Sequence, residues 1–129
     1  MKLISFEKDN NILLGAIEKD SIYDLHAINT NIVESMLEFI QGGNEQLDLA
    51  HKAIQDNELS MNINDVKLLS PLTNPPSVRD AYAFRQHVAT ARRNRGLEMI
   101  PEFDEIPIFY FTNHNAVFGP GNFPVLSRQ

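Results

Sequence analysis

The first 25 residues alternate between apolar and polar positions, with turn residues at regular intervals. In residues 2–6 the alternation is loose and places Ile4 and Phe6 on one face, which predicts a short strand. Polar turn residues then separate two further apolar segments, residues 12–17 and 22–25. Three short strands joined by polar turns indicate an antiparallel meander.

The hydrophobic period then changes from two residues to three or four. This spacing is typical of a helix and is carried by Ile32, Val33, Met36, Leu37 and Ile40. Gly42 and Gly43 are expected to end this helix, and Asn44 to cap a second one. Alternation returns over residues 61–69, so residues 1–70 are predicted to form a small N-terminal α/β domain.

Prolines mark the boundary of this domain. Pro71, Pro75 and Pro76 lie within six residues and cannot continue a helix or a central strand. We therefore predict a linker at residues 71–76 and a second domain over residues 77–129. The overall fold class expected is α+β.

The segment from Val78 to Gly96 is predicted to be one helix, which begins between Val78 and Ala81. In such a helix Asp80 and His87, seven residues apart, would share a face with apolar neighbours. A partly buried imidazole suits a general base, and a carboxylate suits a divalent cation such as Mg²⁺. On spacing alone, a purely structural role, with Asp80 as a helix cap, is the stronger interpretation.

Charge and composition narrow the function classes. The 129 residues carry a net charge of -6, and residues 1–70 hold 12 acidic and five basic side chains. This acidity argues against nucleic-acid binding, although Arg92, Arg93 and Arg95 form a basic cluster. The chain has no cysteine, which excludes disulfides and thiolate chemistry. It shows neither a signal peptide nor a membrane-spanning apolar run, so a cytoplasmic protein without a membrane partner is expected.

The second domain resembles the fumarylacetoacetate hydrolase family, most strongly over residues 77–121. The resemblance is carried by the sequence DAYAFRQH from Asp80, by ARRNRGLEMIP from Ala91 and by IPIFYF from Ile106. It implies that residues 77–129 begin a mixed β-sandwich roll, which is usually dimeric in the family. The domain before it is similar to the N-terminal domain of the longer bacterial members.

The resemblance also implies a role for individual residues. Asp80 matches a metal ligand for Mg²⁺, Mn²⁺ or Ca²⁺, and His87 matches the base that activates water. Tyr82 and Tyr110 match phenols that contact the substrate. Arg95 is similar to a substrate-binding arginine, although its spacing from His87 is one residue shorter than in the fumarylacetoacetate-cleaving members.

The resemblance predicts a metal-dependent hydrolase that cleaves a carbon–carbon bond in a diketo or acylpyruvate-like acid. A decarboxylase, hydratase or isomerase of 2-oxo acids is the nearest alternative, and a non-catalytic binding or assembly module is another. The remaining metal carboxylates, a glutamate that orients the histidine and a lysine fall beyond the equivalent of Gln129 in the family. We therefore expect this chain by itself to be truncated and nearly inactive, and to bind the metal only weakly. The resemblance also implies a homodimer.

Overall fold

The computed structural model describes residues 1–122, and the segment from Phe123 to Gln129, predicted to be extended or frayed, lies outside this range. The chain folds into two compact units. Among the described residues, unit 1 combines Met1–Pro75 with residues 115–122, and unit 2 is Pro76–His114. Residues 115–122, which were predicted to follow the boundary as part of residues 77–129, are thus grouped with unit 1.

Unit 1 is built on the predicted meander. Strand β1 (Lys2–Lys8) pairs antiparallel with β2 (Asn11–Glu18), which pairs antiparallel with β3 (Ser21–Asp24). The turns pass through left-handed backbone at Asn10 (φ 62°) and Lys19 (φ 57°). The meander predicted from the alternating pattern is confirmed.

Two very short strands complete this sheet at its opposite edges. Strand β4 (Met61–Asn62) pairs with β3, strand β5 (Lys67–Leu68) pairs with β1, and a 3₁₀ turn, Ile63–Asp65, connects them. In a flat sheet four strand spacings would separate β4 from β5 by ~19 Å. Five residues of extended chain reach only ~17 Å, so the short connection requires the sheet to curl.

The two faces of the curled sheet bury different side chains. Residues opposite each other in an antiparallel pair share a face, which places Phe6, Gly15 and Ile22 together. Phe6 and Ile22 are fully buried, as expected for the inner face of a curl. A Cβ atom at Gly15 would lie 2.7 Å from the Phe6 ring, so the ring occupies the space that glycine leaves.

The other face packs against helices. Helix α1 (Leu25–Ile28) is followed by α2 (Met36–Gln55), and Ser35 caps α2 by accepting a hydrogen bond from the Glu38 backbone N–H. Gly43 interrupts α2 with φ 57° and ψ −135°, at the predicted break. The core formed here comprises Leu14, Ala16, Leu25, Ile32, Met36, Phe39, Ala50 and Ala53.

The predicted start of the first helix at Ile32 is wrong. Ile32 is fully buried, but it precedes the capping residue Ser35 and is not helical. Ile32 is buried as part of a loop that Gln46 of α2 holds against the helix. The Val33 backbone N–H donates to Gln46 Oε1 at 3.0 Å, and Gln46 Nε2 donates to the Asn31 carbonyl at 3.4 Å. The position of this buried loop residue therefore matched the spacing of a helix although the residue is not helical.

Unit 2 contains a two-stranded antiparallel sheet and two helices. Its elements in chain order are β6 (Val78–Ala81), α3 (Arg85–Asn94), α4 (Glu102–Glu105) and β7 (Phe109–Thr112). The strand predicted over residues 106–111 is therefore present but displaced towards its C-terminal end. With unit 1, these elements confirm the α+β class.

The prediction of a helix from Val78 or Ala81 is wrong. Residues Val78–Ala81 form β6, whose backbone groups pair with β7, and α3 begins only at Arg85. Pairing with a strand 30 residues further along the chain determines the conformation here, and the local sequence, which contains the poor helix formers Val78 and Asp80, does not oppose it. Asp80 and His87 therefore do not belong to one helix.

The predicted end of this helix is confirmed. Gly96 adopts φ 71°, and its N–H donates to the Arg93 carbonyl at 2.9 Å. The Leu97 N–H donates to the Arg92 carbonyl at 3.0 Å. These two bonds form a Schellman motif with glycine at the left-handed position. Among the described residues, no helix is long and apolar enough to cross a membrane.

Gln46→Leu should destabilise unit 1 by about 1–3 kcal/mol, because the partly buried Val33 N–H would lose its acceptor. Urea unfolding followed by circular dichroism measures this loss. Gln41→Leu, at an exposed position of the same helix, is the matched control and should leave the free energy of unfolding nearly unchanged. Equal effects of the two substitutions would contradict the fastening role of Gln46.

Candidate functional site

Asp80 and Tyr110 form a cross-strand pair on one face of the β6–β7 sheet. They stand directly opposite each other in the register, and Tyr110 Oη donates a hydrogen bond to Asp80 Oδ2 at 2.6 Å. This length is typical of a hydroxyl bound to an ionised carboxylate. Both side chains are exposed, so a ligand can approach the pair from solvent.

The pair changes the acidity of the phenol. The hydrogen bond to Asp80 is the main cause that raises the pKa of Tyr110 above its ordinary value, and the negative charge of Asp80 adds to it. Smaller contributions come from burial and from Tyr82. The phenol of Tyr110 is therefore held neutral and acts as a hydrogen-bond donor.

The opposite face of the same sheet carries a cationic and aromatic cluster. The Arg79 guanidinium lies 5.4 Å from the centre of the Phe109 ring and 5.1 Å from that of Phe111. The two rings meet edge to face, with their centres 5.7 Å apart. This cluster was missed from the sequence, although the alternation of Phe109, Tyr110 and Phe111 in a strand would have placed the two phenylalanines together.

His87 lies in the first turn of α3, separated from β6 by residues 82–84. Within this connection the Tyr82 backbone N–H donates to the Ile108 carbonyl at 3.0 Å, which extends the pairing of the strands. His87 is exposed and lines an open depression with Ala83, Phe84, Arg85, Gln86 and Thr90. The expectation of a partly buried imidazole is wrong, because His87 is exposed and its neighbour Phe84 is 79% exposed.

Arg95 lies at the other end of α3, as its C-terminal cap. Eight residues of helix separate Arg95 from His87 by ~12 Å along the axis. The neighbouring Arg92 donates through Nε to the Glu98 carbonyl, so part of the basic cluster fastens the loop after the helix. Cations at this end also complement the negative end of the helix dipole.

The start of α3 is fastened to α4 by an ion pair. Arg85 donates through Nε to Asp104 Oδ1 at 2.9 Å and through a terminal nitrogen to Asp104 Oδ2 at 3.0 Å. This two-point contact lowers the pKa of Asp104 and raises that of Arg85. No local pattern predicts this pair, because its partners are 19 residues apart in different elements.

The resemblance implies a divalent cation at Asp80. The Asp80 carboxylate is a hard oxygen donor, which suits Mg²⁺, Mn²⁺ or Ca²⁺, whereas the neutral phenol of Tyr110 donates its proton to this carboxylate. Residues 1–122 contain no group of three or more acidic, histidine or cysteine side chains that could hold a metal ion. The donor chemistry therefore fits, but the described residues supply one carboxylate.

Comparison with known proteins finds similarity over part of the chain. No protein-family model matches the chain. A relative from Xenopus laevis, "Oxaloacetate tautomerase fahd2, mitochondrial", is 28% identical over 82 residues, which cover 60% of this chain. The chain spans only 26% of the length of that relative. The similarity to an enzyme named for a fumarylacetoacetate hydrolase domain agrees with the family resemblance.

A pH titration tests the coupling of Asp80 and Tyr110. The phenolate absorbance of Tyr110 should appear above the ordinary tyrosine value of ~10 and should move down in Asp80→Asn, which removes the negative charge. Because folding raises this pKa, the contribution of the pair to stability is present below the ordinary value and is lost as the pH rises through the pKa of Tyr110.

Tyr110→Phe identifies which part of the absorbance change belongs to Tyr110 in this titration. A Tyr110 curve that is the same in the native chain and in Asp80→Asn would contradict the coupling.

Proposed function

We propose that this chain supplies part of the active site of a metal-assisted enzyme that acts on an enolisable 2-oxo acid. The observation that carries the proposal is the exposed Asp80 carboxylate, oriented by Tyr110 on the strand that leads to His87. The similarity to a tautomerase of oxaloacetate supports the same substrate class. Within unit 2, which the structure describes in full, Asp80 and Tyr110 are the one pair among the residues matched to the family whose side chains are joined by a hydrogen bond.

Asp80 is the residue proposed to hold the metal. Mg²⁺ is commonly bound by one or two protein carboxylates together with water and oxygens of the substrate. A 2-oxo acid offers a carboxylate oxygen and the adjacent keto oxygen, which can occupy two neighbouring positions around the ion. When bound, the metal would polarise the keto oxygen and stabilise negative charge on it.

His87 is the proposed base. An imidazole exchanges protons efficiently near neutral pH, and the exposed His87 ring borders an open depression that a small acid can enter. In tautomerisation the base takes a proton from the carbon beside the carbonyl while the enol oxygen gains one. In hydrolysis of a carbon–carbon bond the same base would take the proton from water.

The substrate contacts stay predictions of the resemblance. Tyr82 follows β6 directly and contributes slightly to the raised pKa of Tyr110, so its proposed contact with the substrate would lie near the pair of Asp80 and Tyr110. Arg95 caps the far end of α3. A carboxylate bound by Arg95 would therefore lie away from the depression beside His87 unless the substrate is extended.

Tautomerisation is the favoured reaction, and carbon–carbon bond hydrolysis is the alternative. Both pass through the enolate of a 2-oxo acid, and the matched relative is named for the first of them. Product analysis separates them: loss of the enol form of oxaloacetate with all carbons retained indicates a tautomerase. Release of acetate and pyruvate from acetylpyruvate indicates the hydrolase.

Asp80→Asn should weaken binding of Mn²⁺ in the presence of oxalate at least about tenfold, because the proposed ligand loses its charge. Oxalate presents the two adjacent oxygens of a 2-oxo acid enolate, and calorimetry or electron paramagnetic resonance measures the affinity of the chain for Mn²⁺. Glu105→Gln is the matched control, since Glu105 is an exposed carboxylate of the same unit and the substitution leaves the ion pair of Arg85 with Asp104 intact. Equal affinity of Asp80→Asn and the native chain would refute the proposed metal ligand.

A further inference from the structure

We propose that residues 115–122 act as a strap, whose contact with the edge of the unit 1 sheet promotes pairing of β6 with β7 and so the formation of the Asp80–Tyr110 pair. This role goes beyond the proposed function, since it concerns how the pair is formed, whatever ligand the pair binds. The strap is grouped with unit 1, whereas both strands belong to unit 2. The connection along the chain couples them.

The strap contacts unit 1 through its backbone at Gly119. A Cβ atom at this position would lie 2.6 Å from Leu69 Cα and 2.8 Å from the carbonyl oxygen of Leu68. Both atoms belong to the main chain, so neither can move aside as the end of a flexible side chain would. Gly119 is not among the glycines with positive φ, so it serves the close approach of two backbones and not a special turn.

The segment that receives the strap is fixed to the unit 1 sheet. The Leu69 backbone N–H donates to the Ser5 carbonyl of β1 at 2.9 Å, and Ser5 Oγ donates to the Pro71 carbonyl at 2.7 Å. Ser5 is buried, and so is Pro75, the residue that directly precedes unit 2. One end of unit 2 therefore starts from a fixed point of unit 1, and the strap determines whether the other end is fixed as well.

Little apolar burial holds the strap in place. Residues 115–118 and 120–122 are exposed, and the Phe118 side chain is 53% exposed. Residues 117–120 line a surface depression together with residues 67–70. Segments with few buried groups open at a low cost in free energy, so the strap docks and undocks reversibly.

Docking of the strap shortens the loop that β6 and β7 must close. Without the strap, pairing of Val78 with Thr112 closes a loop of 34 positions. With Gly119 docked on Leu69, Val78 lies nine positions from one anchor and Thr112 seven positions from the other, so 16 positions remain to be closed. Loop-closure entropy grows as three halves of the logarithm of the loop length, so docking should favour pairing about threefold.

This effect acts on a weak element. Strands β6 and β7 form a sheet of two strands, and an isolated sheet of two strands is marginally stable at best in water. All residues of β7 and all of β6 except Val78 are exposed, so burial adds little to the pairing. A threefold change in pairing therefore alters the fraction of molecules in which Asp80 meets Tyr110.

Amide hydrogen exchange of the full chain tests the strap with two changes. Gly119→Ala places a methyl group against the main chain of Leu69 and should undock the strap. An insertion of about 16 glycine and serine residues between His114 and Asn115 leaves Gly119 in place but doubles the 16 positions to be closed. The insertion lies outside the loop between β6 and β7, so it has an effect on pairing only while the strap is docked.

The reporter is the Tyr82 N–H, which donates to the Ile108 carbonyl at 3.0 Å and extends the pairing of the strands. Each change alone should speed its exchange about threefold, and the two together should speed it no further. Ala116→Ser adds one atom to an exposed strap residue and, as the matched control, should leave the exchange rate unchanged.

Native exchange of the Tyr82 amide in Gly119→Ala or in the insertion variant would overturn the role of the strap. Additive effects, with exchange about ninefold faster in the double variant, would overturn it as well, because an undocked strap cannot transmit the insertion. If Gly119→Ala also speeds exchange in β1 and β2, unit 1 itself is disturbed, and the insertion variant is decisive. Threefold faster exchange in that variant then supports the strap, and an unchanged rate refutes it.

Discussion

Antiparallel strand pairing is the interaction on which both units depend, and in unit 2 its register defines the candidate site. A strand places successive side chains on opposite faces, so a slip of one residue would set Tyr110 opposite Arg79 or Ala81 instead of Asp80. The hydrogen bond between phenol and carboxylate exists only in the observed register. The same register places Phe109 and Phe111 together on the other face.

The sequence predicted best what local chemistry determines. Polar turns between alternating segments sufficed for the meander, and the left-handed glycines Gly43 and Gly96 were found because few other residues adopt that backbone without strain. Ile32 shows where this reasoning fails. Its spacing matched a helix, but the hydrogen bonds of Gln46 hold it in a loop, and a bond between segments so far apart leaves no periodic signal.

The functional roles of the candidate site residues stay predictions, and their arrangement could not be predicted from the sequence. Asp80 and His87 were selected from their spacing and then from the family resemblance, and Tyr110 was selected through the resemblance alone. The pairing of Asp80 with Tyr110 joins residues 30 positions apart and has no local signature. Reading β6 as the start of α3 imposed a helical period on a segment whose period is two. The prediction that Asp80 and His87 share one helix face followed from that error. In the structure Asp80 lies in a paired strand, and its side chain contacts Tyr110 instead.

Unit 2 has little apolar core to hold this arrangement. Val88 is the one buried apolar side chain of residues 76–114, all of which the structure describes. A unit with so small a core gains little stability from burial, so its order depends on strand pairing and on polar contacts such as Arg85 with Asp104. A ligand that binds only the paired strands adds stability in proportion to the logarithm of its concentration above the dissociation constant. Ligand binding at Asp80 and pairing of β6 with β7 should therefore stabilise each other, so the strands should be most completely paired when a ligand is bound.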